Sequence, residues 1–149
     1  MQTLSYVTYI VAKAEQVWAA LTDGEATKRY FFGRRIESDW KEGSPWRLWM
    51  EDGRVDSRGI VLECKPPRRL VITWHVEWME EFRHLPEAHV AFELDALGEV
   101  TRLTMTQSHP TLIDDKYLEG GRRGWPIILC GLKTLLETGR PMPPVDPSA

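Results

Sequence analysis

The chain has 149 residues, of which 42% are hydrophobic and 28% charged, and a formal net charge of -3, a composition that fits one soluble globular domain able to bury a core without metal or disulfide staples. No apolar run approaches the roughly 20 residues that span a bilayer, and the N-terminus MQTLSYVTYIV lacks the basic-then-apolar order of a signal peptide. Arg34-Arg35, Arg68-Arg69 and Arg122-Arg123 are isolated pairs among interspersed charges and make no nucleic-acid footprint, so the expectation is a cytoplasmic chain with no membrane span and no nucleic-acid partner.

Residues 3–11 (TLSYVTYIV) are rich in β-branched and aromatic side chains and read as a strand. In AEQVWAAL (residues 14–21), Ala14, Val17, Trp18 and Leu21 recur at helical spacing, so a short amphipathic helix follows. Residues 25–32 (EATKRYFF) predict a second short helix that breaks at Gly33. From there the pattern is strand and turn. Residues 35–39, 45–51 and 55–64 predict strands, with Asp52-Gly53 as a hairpin signal. In residues 69–78 (RLVITWHVEW), Leu70, Ile72, Trp74, Val76 and Trp78 share one face. Val71, Thr73, His75 and Glu77 share the other, so His75 and Glu77 are expected to miss any space inside. Residues 79–87 predict a charged loop, and residues 88–95 and 100–108 a hairpin.

The closing stretch predicts a regular helix from Trp125 to Thr138, with Pro126 in its first turn and Gly139 as its C-terminal cap. A start near Asp115 would instead put Pro126 inside the helix and kink it. At 100° per residue Trp125, Leu129, Leu132 and Leu136 form a narrow apolar arc that Ile128 and Leu135 widen, while Ile127 and Cys130 face away and are candidates for a subunit contact. The tail MPPVDPSA is expected to be disordered, leaving one domain over residues 1–140 and a tail over 141–149. Strands in sequence with short connections predict a largely antiparallel sheet, and a long helix with a matching stripe lies across its concave face.

The order of strand, two short helices, strand meander and long C-terminal helix resembles the α+β helix-grip fold of the START-related (SRPBCC) superfamily. In that fold a curved antiparallel sheet of six to seven strands wraps a long C-terminal helix, with two short helices between strands 1 and 2. AEQVWAALTD, GSPWRLWMEDGR, RGIVLECKPPRRLVITW and GRRGWPIILCGLKTLLE sharpen the match. Glu63, Pro67 and Leu70, and later Gly124-Trp125 with Leu129 and Leu132, are its most specific parts. Together they resemble the family named for the activator of the ninety-kilodalton heat-shock protein's ATPase, in its small stand-alone bacterial members. The resemblance implies a cavity between helix and sheet, in which relatives hold lipids, polyketides or other apolar molecules.

Seven tryptophans are many for a chain of this length, and large rings can line a pocket while an indole N–H orients a ligand. The expected lining is Trp46, Leu48, Ile72, Trp74, Trp78, Phe92, Met105, Gln107, His109, Trp125, Leu129 and Leu132. Trp49 has the opposite parity to Trp46 and is expected to point away. Residues 112–123 (LIDDKYLEGGRR) are a candidate lid. His109 is the best acid–base candidate, but there is no nucleophile elbow, triad or metal-ligand spacing, so no catalytic residue, metal or cofactor is assigned. Cys64 and Cys130 are expected to be reduced and buried. The function expected is binding of an apolar or amphipathic molecule. A cyclase- or hydrolase-like enzyme, a chaperone- or regulator-linked protein-binding domain and a homodimer remain open.

Overall fold

The structure, a computed structural model, describes residues 2–149. Its elements in chain order are β1 (Gln2–Ile10), α1 (Ala14–Thr22), α2 (Gly24–Tyr30), β2 (Arg35–Ser38), β3 (Pro45–Trp49), β4 (Val55–Lys65), β5 (Arg69–Val76), β6 (Ala88–Leu97), β7 (Val100–His109) and α3 (Glu119–Thr138). The strands form one sheet in the order β1-β7-β6-β5-β4-β3-β2, with every neighbouring pair antiparallel. The chain starts at one edge, crosses by α1 and α2 to the far edge, and meanders back until β7 pairs with β1. This is the helix-grip arrangement.

Local chemistry fixes the crossover. Gln16 Oε1 accepts from the Lys13 backbone N–H at 2.9 Å, and Asp23 Oδ1 accepts from Glu25 N–H at 3.0 Å, so each short helix has an orphan donor satisfied at its start. Thr27 is fully buried, and its hydroxyl oxygen accepts from Ile36 N–H at 3.0 Å, tying α2 to β2.

α3 lies over the concave face with Trp125, Ile128, Leu129, Leu132 and Leu135 buried. Each fully buried leucine of this kind contributes about 1.5–3 kcal/mol. Gly131 is also buried, because a Cβ there would stand 3.3 Å from both Tyr30 Cβ and Tyr30 O. The missing side chain lets α3 sit directly on the end of α2.

The helix begins at Glu119 rather than Trp125. A 3₁₀ turn at Asp115–Leu118 leads into it, with Asp114 accepting from Lys116 N–H. Arg122 binds Asp115 at 2.8 and 3.0 Å and Glu119 at 2.6 Å, fastening the first turn. Pro126 therefore lies inside the helix, where it removes the N–H that would reach the Arg122 carbonyl. Gly139 caps the other end in the left-handed region, φ 76°. Neither cysteine is buried as expected: Cys64 is half-buried, Cys130 is exposed, and both are free. No described helix is long and apolar enough to cross a membrane.

Candidate functional site

Between the N-terminal half of α3 and the ends of β5 and β7 lies a cavity of about 600 Å³. The helix makes this space by omission. Gly120, Gly121 and Gly124 border it; a Cβ on Gly120 would meet nothing within 4 Å and one on Gly124 would reach only Phe32, at 3.9 Å, whereas one on Gly121 would press on Leu4 at 3.0 Å and Gln107 at 3.2 Å, so that glycine lets the helix sit close to the sheet. One to three turns further along, Leu129, Leu132 and Leu135 close the gap. There only a void of about 20 Å³ remains, about the space of one water molecule.

The inner wall is aromatic. Trp74 of β5 and Phe31, just after α2, lie nearly parallel, with centroids 6.2 Å apart and planes 14° apart. Trp125 meets both edge-on, at 5.6 Å and 73° from Trp74 and 5.8 Å and 83° from Phe31. Such edge-to-face contacts are the favoured geometry for aromatic rings. Behind them Trp46 packs on Trp74 at 4.6 Å and donates its indole N–H to the Thr73 carbonyl at 2.8 Å. At the mouth the β5–β6 loop meets the segment before α3, where Phe82 and Tyr117 touch edge to face at 5.1 Å. Gln2 anchors that segment, donating to the Ile113 carbonyl and accepting from Ile113 N–H at 2.8 and 2.9 Å.

Polar groups sit at two places in the wall. Arg34 and Asp56 form an ion pair at 2.9 Å, both largely buried, and Ser57 donates to the other Asp56 oxygen. Across the cavity runs a chain of three side chains. Trp125 Nε1 and Gln107 Oε1 are 2.7 Å apart, and Gln107 Nε2 and His109 Nε2 are 2.8 Å apart. An indole N–H can only donate, so it fixes the amide oxygen on the tryptophan side. The amide NH₂ then faces His109 Nε2, which must accept, and the imidazole proton is on Nδ1. His109 is 7% exposed, and its Nδ1 is buried with no hydrogen-bond partner. An unpaired buried donor costs about 1–3 kcal/mol. Burial also pushes the His109 pKa down. With its one nitrogen lone pair already engaged by Gln107, the ring is not set to abstract a proton.

Of the residues expected to line the space, Trp74, Trp78, Gln107, His109 and Trp125 border the cavity. Ile72, Phe92, Leu129 and Leu132 surround the small void instead. Trp46, Leu48 and Met105 are fully buried and pack in the core. His75 borders the cavity despite its parity. The reason is topological: Trp74 opposite Ala88 is the last β5–β6 pair, so beyond it β5 has a free edge and its edge as well as its face meets the space. Trp49 turns away as its parity predicts, with its indole N–H 3.2 Å from Glu37 Oε1. The structure adds Phe31, Phe32, Phe82 and Leu85, together with Tyr117 and the tail residues Pro147 and Ser148. One signal for the loop residues was available: Trp78, Phe82 and Leu85 recur at helical spacing, and a 3₁₀ turn forms at Glu80–Phe82. Among the described residues no group of three or more His, Cys, Asp or Glu is placed to hold a metal ion.

A family model described as "Activator of Hsp90 ATPase homolog 1-like protein" matches residues 11–137. Among solved structures, CalU16 from Micromonospora echinospora is 25% identical with a TM-score of 0.72, covering 92% of this chain and 77% of that one. DynU16, from the dynemicin biosynthetic locus, is 24% identical with a TM-score of 0.79, covering 95% of this chain and 49% of that one. The Aha1 dimer from Colwellia psychrerythraea is 20% identical with a TM-score of 0.72, covering 93% and 98%. No curated protein matches.

Proposed function

The chain belongs to the activator of Hsp90 ATPase homologue 1-like family, and from that premise we propose that it binds an apolar or amphipathic small molecule, in the cytoplasm, between its sheet and α3. The observation that carries the reading is the cavity of about 600 Å³ with its aromatic wall and few polar groups, a size and character that suit a small-molecule site. DynU16 supports it, since a locus that builds a small molecule is a setting where such a cavity has a use. The His109 geometry speaks against a general-base role and so favours binding over hydrolase or cyclase chemistry.

The test is tryptophan fluorescence and native mass spectrometry of the purified protein against a panel of lipids and aromatic hydrophobes. One bound molecule per chain, with a change in emission, is expected. No saturable response from any panel member would remove the reading. A second reading has its own observation: Val7, Tyr9 and Val11 are exposed, at 53%, 51% and 60%, on or just after edge strand β1. That strip suits a second copy of the chain, and the dimeric Colwellia structure supports the idea. Sedimentation equilibrium of the protein and of Tyr9→Ser tests it; a monomer at all concentrations would end it.

A further inference from the structure

The cavity carries an uncompensated positive charge at its border. Of the Arg, Lys, Asp and Glu side chains among the described residues, three border it: Arg34, Asp56 and Arg123. Two of these cancel. Arg34 Nε donates to Asp56 Oδ2 at 2.9 Å, Ser57 donates to Asp56 Oδ1, and Arg34 Nη1 donates to the Phe32 carbonyl at 3.0 Å. Arg123 is left. It approaches Glu119 Oε2 only to 3.9 Å, the outer limit of an ion pair, while Arg122 holds the other Glu119 oxygen at 2.6 Å. The Arg123 side chain is 57% exposed, so its guanidinium has donors to spare for a further acceptor.

The helix sets where that charge lies. A helical side chain leans back over the residues three and four positions before it, here Gly120 and Glu119, and the approach to Glu119 follows that lean. Gly120 borders the cavity, and a Cβ on it would meet nothing within 4 Å. Arg123 therefore lies along a bare stretch of α3 at the cavity's rim, with open space beside it. An anion drawn inward among Trp74, Trp125 and Phe31 would lose its water with no partner in exchange. At the rim it keeps part of its hydration and gains a charge-assisted, fork-shaped contact. A single unmatched positive charge suits a single negative one. We infer that Arg123 is the head-group contact for an amphiphile bearing one carboxylate, which lies with its apolar body in the aromatic interior and its head at the rim. This rests on the cavity reading of the preceding section and adds to it the charge and orientation of the ligand. No bond forms or breaks in the contact.

The test uses three probes with one ten-carbon tail and different heads: decanoate, decan-1-ol and decyltrimethylammonium. Binding to the native protein, Arg123→Gln, Arg123→Lys and Arg47→Gln is measured by titration calorimetry at low salt. Arg47 is exposed on β3 between buried Trp46 and Leu48, so its variant removes one positive charge away from the cavity. Decanoate is expected to bind most tightly and the cation most weakly. The decanoate-to-decanol affinity ratio should fall about 3–10-fold in Arg123→Gln, between the worth of an exposed ion pair and that of a hydrogen bond to a charged group. It should be largely kept in Arg123→Lys and unchanged in Arg47→Gln. Should Arg123→Gln fail to fold, the native protein decides: the same ratio should drop as salt rises, because a rim contact is screened, and a salt-independent ratio overturns the inference. A carboxylate preference that survives Arg123→Gln, or equal binding of the three heads, also overturns it and leaves the cavity reading standing. If none of the three binds, the head-group inference falls, and the lipid and aromatic panel decides the cavity reading separately.

Discussion

His109 and Trp46 are the residues where burial and hydrogen bonding make single changes costly. Burial holds the His109 pKa below its ordinary 6.5. Between the folded value and 6.5 the unfolded chain binds more protons than the folded one. The stability this group protects is therefore complete above about pH 6.5 and is lost as pH falls through that window. Urea denaturation of the native protein should show this slope just below pH 6.5, and His109→Phe should lack it. The carboxylates of Asp115 and Glu137, held low by Arg122 and Lys133, act from their ordinary 3.8 and 4.5 downward and so do not overlap. Trp46 is fully buried with its N–H on Thr73 O, whereas Trp49 is half-exposed with its N–H on a surface glutamate. Trp46→Phe should cost about 2–4 kcal/mol, and Trp49→Phe under about 1 kcal/mol, by the same measurement. Similar costs for the two would contradict the packing described.

At the scale of elements, α3 divides into a half that grips and a half that leaves room. Its leucines fill the core, while Gly120 and Gly124 have room beside them, so Gly124 and Gly131 should respond differently to added bulk. Gly131→Val pushes a side chain into Tyr30 and should destabilise by about 1–3 kcal/mol. Gly124→Leu would bring its Cβ into ordinary contact with Phe32, at 3.9 Å, beside the cavity; it should cost less stability than Gly131→Val, since leucine is the better helix former, and lose binding of the aromatic panel. Equal destabilisation by both, read from thermal melts, would contradict the division. The helical stripe, the strand alternation that turns Trp74 inward and the shared parity of Gln107 and His109 were legible in the sequence, because burial on one face imposes a period on side chains. The helix start stood open between Asp115 and Trp125 because Pro126 suits a first turn better than an interior; the pairs from Arg122 to Glu119 and Asp115 fasten the earlier start. Gly120 and Gly121 read as part of a candidate lid, since a residue without a side chain does not reveal whether it marks a turn or a space. His75 was misplaced because the end of β6 beside β5 depends on strand pairing and not on local pattern.

Across the whole molecule, the sheet is bent round one helix, and the core is sealed from Leu129 onward and open before it. Parity could nominate an inner face but not say how much of it is filled. Seven of the twelve residues nominated from the sequence pack in the core or about the small void, because filling depends on side chains arriving from α1, α2 and α3. The cavity is thus a property of the assembled chain, bounded by β4, β5, β6, β7, α3, three connecting segments and the tail at once. The most direct test of this account is a ¹H–¹⁵N titration of the tryptophan indoles with fluorene. Saturable one-to-one shifts of the Trp125 and Trp74 signals, with Trp49 unmoved, are the predicted result; no saturable shift, or shifts confined to Trp49 on the far face of the sheet, would contradict it.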